Sequence, residues 1–214
     1  TRQIAVPALN YPTGVSVGLD DGSLVFVASD ENGIEVWGSD GSSLGTRRIS
    51  NFADSGAKIW QMKATGNRAF FYVEDVTFGQ EMWTSDGTPE GTHALTSFGY
   101  FEPFGDYYST QQLVVAGDRA FFPATNGIDG MQLWVTAESG TTASPLLGVC
   151  PYLDCFYEYW IYAVGSQVFF LNSDTEHGTE VWTSDGRLSG THLLHDACPG
   201  TCTGSGSVLA SSRA

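Results

Sequence analysis

Carboxylates are the most numerous reactive side chains in this sequence, and six of them recur in one setting. Glu35, Glu81 and Glu180 each stand two residues before a tryptophan (Trp37, Trp83, Trp182), and Asp40, Asp86 and Asp185 each stand three after it. Two acids at a fixed separation are what hydrolysis of a glycosidic bond requires. A group that returns once per repeat, however, serves the repeat. These six are therefore read as scaffold: the glutamates as hydrogen-bond partners at turns or between repeats, the aspartates as caps of local N–H groups. Asp20, Asp21, Glu102 and Asp106 have no better claim than other loop acids. No nucleophile elbow, phosphate-binding loop or HExxH pattern is present, so no catalytic residue is assigned and the chain is expected not to be an enzyme.

Four histidines and four cysteines remain. His93 and His192 occupy one repeat position, which marks them as scaffold or surface. His195 follows on the strand of His192, and the two would make a two-histidine metal site if they shared a face. His177, in Asp174-Thr175-Glu176-His177-Gly178, has no counterpart in the other repeats and belongs among the candidates for a site. Cys150 and Cys155, and Cys198 and Cys202, follow the last strand of two successive repeats at matched positions. Four cysteines allow three pairings, and the matched placement favours the local one, Cys150–Cys155 and Cys198–Cys202. Four thiolates around zinc are the rival arrangement.

Aromatic residues crowd two stretches that differ between repeats: Phe98, Tyr100, Phe101, Phe104, Tyr107 and Tyr108, then Tyr152, Phe156, Tyr157, Tyr159 and Trp160. Rings beside carboxylates suit sugars, whose apolar faces stack while hydroxyls donate to the acids. They also suit a protein partner, since aromatics are enriched at interfaces. Tyr107, Tyr108, Tyr157 and Trp160, with Glu176 and His177, are the candidate ligand-binding residues.

The elements that must position these residues are set by the repeat. Glu35-Val36-Trp37-Gly38-Ser39-Asp40-Gly41 returns at 81–87 and 180–186, with a worn copy at Gln132-Leu133-Trp134-Val135-Thr136. Trp37, Trp83, Trp134 and Trp182 are thus 46, 51 and 48 residues apart, and each is expected to pack in the core or between units. A Gly-Thr pair follows each motif (45–46, 91–92, 140–141, 190–191). Upstream, a glycine precedes a phenylalanine by four residues at Gly22/Phe26, Gly66/Phe70, Gly117/Phe121 and Gly165/Phe169.

Each unit reads as four short strands, rich in β-branched and aromatic residues and punctuated by Gly, Asn, Asp and Ser. In the third copy these are 112–116, 119–124, 131–136 and 141–147. Four antiparallel strands and a period in the forties describe a propeller blade. The expected fold is therefore an all-β propeller in one domain, 1–214, with four complete blades at about 14–56, 57–110, 111–158 and 159–205. Residues 1–8 read as a fourth strand and 206–214 as a first. These closing strands would be the two ends of an incomplete fifth blade, meeting each other or completed by a second chain or a removed continuation. In this plan the aromatic stretches and the second-to-third-strand loops (Asp30, Glu31, Glu74, Asp75, Asp129, Asp174, Glu176) emerge on one face.

The motif resembles the bacterial repeat named for its Glu-Leu-Trp-x-x-Asp-Gly-Thr signature, over about residues 14–205. The resemblance implies a propeller-like array in large secreted or surface proteins and brings no catalytic residues. The third copy departs from the pattern in lacking the acid and Asp-Gly, the first in carrying Ser42 for Thr. An extracellular setting also favours disulfides over zinc.

Charge narrows the partners. With 24 acidic residues against 9 Lys plus Arg, the net charge is −15. That field repels phosphate backbones and anionic membranes, so no nucleic-acid partner and no membrane insertion are expected. It is compatible with solubility or with calcium held by the acidic loops, and no other cofactor is implied. No apolar run reaches membrane-helix length and no signal pattern opens at Thr1, so the chain reads as a processed or trimmed product. The reading is a non-enzymatic extracellular recognition or surface-structural propeller whose partner is a glycan or a surface protein. The alternatives are a protein adhesion module and, further off, a five-bladed glycan-processing enzyme.

Overall fold

The computed structural model describes residues 11–30, 33–52, 56–75, 79–97, 113–124, 131–150, 161–174 and 176–196. They form four separate four-stranded antiparallel sheets, each a simple meander in chain order. Blade 1 is β1 (Tyr11–Gly18), β2 (Leu24–Asp30), β3 (Gly33–Ser39) and β4 (Arg47–Arg48). Blade 2 is β5 (Lys58–Thr65), β6 (Arg68–Asp75), β7 (Gly79–Ser85) and β8 (His93–Ala94). Blade 3 is β9 (Val114–Ala116), β10 (Arg119–Ala124), β11 (Met131–Thr136) and β12 (Ala143–Cys150). Blade 4 is β13 (Ile161–Val164), β14 (Gln167–Asp174), β15 (Gly178–Ser184) and β16 (His192–His195). First strands neighbour one another in sequence, β1 with β5, β5 with β9 and β9 with β13. The fold is an all-β propeller of four-stranded blades. The terminal segments 1–10 and 197–214 lie outside the described residues.

Alternation along the second and third strands gives every blade two apolar faces. One faces the next blade and the other the previous one. Val25, Val27 and Val36 of blade 1 thus share a core with Ala69, Phe71 and Val73 of blade 2, against which Trp83 packs. Phe70, Tyr72 and Met82 meet Ala120, Phe122 and Ala124, with Trp134 alongside. Phe121, Leu133 and Val135 meet Val168 and Phe170, with Trp182 alongside. Phe70, Phe71, Phe121, Phe122 and Phe170 are fully buried, each contributing about 1.5–3 kcal/mol. Trp83, Trp134 and Trp182 pack between blades as expected, with Phe52 edge-on against Trp83 at 5.0 Å, while Trp37 is buried against Phe26 of its own blade.

The Ser-Asp-Gly and Gly-Thr positions that recur in the repeat each have a task in the turn from third to fourth strand. Asp40 Oδ1 accepts from the Ser42 amide (2.8 Å) and hydroxyl (2.7 Å), and Asp86 Oδ1 does the same for Thr88 (3.0 and 2.6 Å). The next glycine, at φ +86° in Gly41 and +83° in Gly87, donates its N–H to the motif serine. That serine pairs with the threonine of the later Gly-Thr: Ser39 with Thr46, Ser85 with Thr92, Ser184 with Thr191. A Cβ on Gly45, Gly91 or Gly190 would stand 1.9–2.1 Å from the aspartate carboxylate, which is why the Gly of Gly-Thr is glycine. Ser42 supplies the hydroxyl that Thr88 does. Arg187 is a further departure from the motif, supplying only its amide and a 3.3 Å guanidinium contact to Asp185.

Glu35 and Glu81 act inside their own blades rather than at turns or between repeats. Glu35, fully buried, accepts from the Phe52 amide (2.8 Å) and the Ser50 hydroxyl; Glu81 accepts from the Thr96 hydroxyl. Those hydroxyls also accept from Val36 N and Met82 N. In these two blades the acid captures the chain as it leaves the fourth strand, and β4 and β8 stop after two residues; in blade 4, with Glu180, β16 runs to four. In blade 3 the neutral Gln132 takes the place of the acid, and β12 pairs with β11 to the end, Met131 opposite Cys150. Of the expected third-copy strands the first begins at 114 rather than 112. β10 and β11 match, whereas the fourth strand starts at 143, after the turn in which Ala137 N bonds Thr142 O, and runs on to 150.

The glycine–phenylalanine marker is true of three blades, not four. Thr65, Ala116 and Val164 are joined to their partners by two-residue turns that open with Gly66, Gly117 and Gly165 at φ +57° to +61°, as tight hairpins require. Blade 1 has a longer turn, so Phe26 pairs with Trp37 whereas Phe70 pairs with Thr84. The blade 1 counterpart of Phe70 is Val25. These first turns hydrogen-bond from blade to blade: Asp20 N to Gly66 O, Thr65 Oγ1 to Gly117 O, Gly117 N to Gly165 O.

Candidate functional site

The antiparallel meander sends the second-to-third-strand turns and the ends of the fourth strands to one face, opposite the ring of first turns. Blade 1 shows it directly: Arg48, ending β4, reaches Asp30 at the end of β2 (4.0 Å) and Glu35 (3.9 Å). In blade 4, Asp196, just past β16, contributes to the field at His177 in the β14–β15 turn. β8 therefore ends, and β9 begins, on the face that carries the acidic turns.

Of the candidate residues, Glu176 and His177 are described, and Asp174 organises both. Its Oδ1 accepts the amides of Glu176 (2.8 Å) and His177 (2.6 Å), closing the turn, and its Oδ2 lies 2.9 Å from His177 Nδ1. Partial burial opposes the charge on Asp174, but the His177 ring and those two amides outweigh it and hold the carboxyl below its usual range. The bond to Asp174 raises the His177 pKa, partial burial opposes the rise, and the charges of Asp174, Asp196 and Glu176 add to it. About a third of each side chain remains exposed. The pair presents a fixed ring edge and a charged carboxylate to solvent, beside the exposed Glu176. Such a group can hold a hydroxyl-bearing ligand by paired donation and acceptance.

Basic partners on this face are what sequence reasoning missed. Lys58 Nζ lies 2.8 Å from Glu74, which also accepts from Gln80 Nε2 (3.3 Å). Arg48 stands against Asp30, as above. Two of the expected loop acids are thus neutralised in place. The signal was present in the repeat plan, since Lys58 and Glu74 face each other across the β5–β6 register. Among the described residues no group of three or more His, Cys, Asp or Glu has metal-holding geometry. Arg119 and Arg187 meet on Glu138 (2.8 and 2.6 Å), joining blades 3 and 4 on the opposite face.

The remaining histidines are placed by register. His93 Nε2 donates to Thr141 O of the next blade at 3.2 Å. His192 and His195 are three residues apart, which in a regular strand would put them on opposite faces. A register shift absorbs Leu194, so they pair with Thr183 and Val181 and share one face, both exposed. Tyr107, Tyr108, Tyr157 and Trp160 lie outside the described residues, as do Cys155, Cys198 and Cys202. Cys150 is placed only by its backbone, at the end of β12.

No family model matches the chain, and no curated protein matches it. Solved structures resemble it in fold at low identity. A puromycin-hydrolysing peptidase of Mycobacterium tuberculosis is 14% identical with a TM-score of 0.49, over 91% of this chain and 30% of its own. TolB from Acinetobacter baumannii is 14% identical with a TM-score of 0.43, over 84% of this chain and 42% of its own. An uncharacterised protein of Listeria monocytogenes, lmo1340, is 11% identical with a TM-score of 0.48, over 91% and 56%. The chain spans about a third of the length of the peptidase. Among the described residues no helix is long and apolar enough to cross a membrane.

Proposed function

We propose that this chain is a non-enzymatic extracellular recognition propeller that binds glycans on the face of the β14–β15 turn. The observation that supports it is the shared origin of two kinds of group. The chain leaves β8 and β12, and re-enters at β9 and β13, on the face where Asp174, Glu176 and His177 sit. The intervening stretches carry Tyr107, Tyr108, Tyr157 and Trp160. Rings and a hydroxyl-binding carboxylate–imidazole pair are the two components a sugar site needs, at about 1 kcal/mol per stacked ring. Single-site affinity is then weak, and multiple copies on a surface supply avidity. The same reading takes the repeat as one of the Glu-Leu-Trp-x-x-Asp-Gly-Thr group, the location as secreted or cell-surface, and the cysteines as two local disulfides.

Glycan arrays run beside a hydrolysis screen test the proposal. Binding without turnover, lost in Trp160→Ala, Tyr108→Ala and His177→Ala while circular dichroism is unchanged, supports it. Turnover would replace it with a glycan-processing enzyme. Binding to surface proteins alone would replace it with an adhesion module. Glycan binding that survives all three substitutions would place the site elsewhere.

A further inference from the structure

Blades 1 and 4 treat the same pair of acids differently. In blade 1 a single atom, Arg48 Nη1, lies 4.0 Å from Asp30 Oδ2 and 3.9 Å from Glu35 Oε1. One positive centre there serves both carboxylates. Their counterparts in blade 4 are Asp174 and Glu180. Asp30 pairs with Gly33 and Ala28 with Glu35, just as Asp174 pairs with Gly178 and Asn172 with Glu180. The place of Arg48, opposite Trp37, is taken by Leu193, opposite Trp182. Blade 4 thus keeps the two acids and drops the arginine.

Asn172 is the second departure. Its counterparts by register are Ala28, Val73 and Ala124, apolar in all three other blades. Asn172 is 2% exposed, and its Oδ1 is buried without a hydrogen-bond partner. Residues paired across antiparallel strands project to one face, so the amide stands beside the carboxylate of Glu180, which is also buried. Alternation along β14 puts Asp174 on that face too, together with Val168 and Phe170, which pack against blade 3. The three polar side chains therefore line the junction of blades 3 and 4. Asp174 Oδ2 carries one hydrogen bond, from His177 Nδ1, and can accept a second partner. An amide oxygen and two carboxylates offer only acceptors to one another, and a buried acceptor left open costs free energy.

We propose that this oxygen set binds a divalent cation of the calcium type, which plays in blade 4 the part that Arg48 plays in blade 1. Asn172 Oδ1, Glu180 and Asp174 Oδ2 are the protein ligands, and water completes the shell. Two acids alone make no metal group; the amide supplies the third oxygen. An all-oxygen set selects a hard cation over zinc or copper. Calcium tolerates irregular shells of about 6–8 oxygens, whereas magnesium demands a near-ideal octahedron.

Isothermal titration of the EDTA-treated full chain with calcium chloride provides the test, beside luminescence of terbium excited through Trp182 on the same face. Saturable binding is expected, with calcium displacing terbium and raising the melting temperature as its concentration grows. Asn172→Val, which installs the blade 2 residue, should weaken binding at least tenfold. Its circular dichroism should be unchanged and its melting temperature in EDTA the same or higher, since the open amide is gone. Glu180→Gln should weaken binding likewise. Asn172→Asp, which keeps the oxygen and adds a charge, should bind at least as tightly as the unsubstituted chain. Absence of calcium binding at millimolar concentration overturns the proposal, as does binding that Asn172→Val leaves intact. The probe is calcium alone, so the outcome is separate from that of the glycan arrays.

Discussion

Gly91 and Asp86 show how closely single residues are coupled in this repeat. A methyl at Gly91 would meet the Asp86 carboxylate at 1.9 Å, so Gly91→Ala must expel the cap that holds the turn. We expect it to cost about 1–3 kcal/mol, in the range of overpacking. Asp86→Ala should cost about 1 kcal/mol, as for other capping groups. The double variant should cost less than the sum of the two, and urea unfolding of all three proteins would measure the coupling. Tyr72 is the opposite case. Its hydroxyl is buried without a hydrogen-bond partner, and burial pushes its pKa upward. Tyr72→Phe should therefore be neutral or raise stability by about 1 kcal/mol, which thermal unfolding would show; a clear loss would mean the hydroxyl has a role.

The Asp174–His177 pair sets the pH behaviour of its turn. His177 titrates above an ordinary histidine, so its contribution is fully present below the unfolded-state value and is lost as pH rises through the folded one. Asp174 titrates below an ordinary carboxyl, so its contribution is present above the unfolded value and is lost as pH falls through the folded one. The turn is tightest in the mildly acidic window between them. Titration of the His177 ring by NMR should give a raised pKa that falls in Asp174→Asn. No fall in that variant would leave the shift without its assigned cause.

Among the elements, the fourth strand records what the motif glutamate does. Where Glu35 and Glu81 hold the exit segment, the strand ends after two residues; in the blade of Glu180 it has four, and where Gln132 stands it continues to Cys150. Burial raises the Glu35 pKa, against the pull of Ser50, Phe52 and Arg48. Glu35→Gln keeps an acceptor and should change stability little. Glu35→Leu removes the carboxylate that accepts from Phe52 N and the Ser50 hydroxyl and should cost about 1–3 kcal/mol. Hydrogen exchange should then rise at Phe52 first. If Val27, in the middle of β2, loses protection equally, the acid supports the whole blade rather than the exit alone.

At the scale of the molecule, the architecture was legible because it is written four times. Trp spacing, strand order and the Ser-Asp-Gly turn all follow from recurrence, and the separation of scaffold acids from unique ones needed no coordinates. What could not be read was phase within a blade. The longer turn at Asp20-Asp21-Gly22 slips Phe26 by one place, which four-residue spacing alone conceals. The glutamates were known to be scaffold, yet their partners at Ser50, Phe52 and Thr96 lie beyond the motif. The β14–β15 turn was half legible. His177 stood out as unique, but its tie to Asp174 depends on turn geometry, and the ion pairs Lys58–Glu74 and Arg48–Asp30 depend on cross-strand register. Since each blade touches chiefly its neighbours, stability should approach a sum of unit and nearest-neighbour contributions. Phe122→Ala, at the interface of blades 2 and 3, should cost about 3–5 kcal/mol and split unfolding into two transitions by calorimetry.

The ring of first turns gives the two faces different engineering value. On that side Asp20 and Gly117 give backbone groups, and Thr65 its hydroxyl, to the adjoining blade, so inserting residues there would break bonds in two blades at once. On the other side, turns such as Asp174-Glu176-His177 close on themselves, and a lengthened segment costs little closure entropy. A foreign peptide grafted after β8 or β12 would thus be displayed on an unchanged frame, several times over, from one short repeating template.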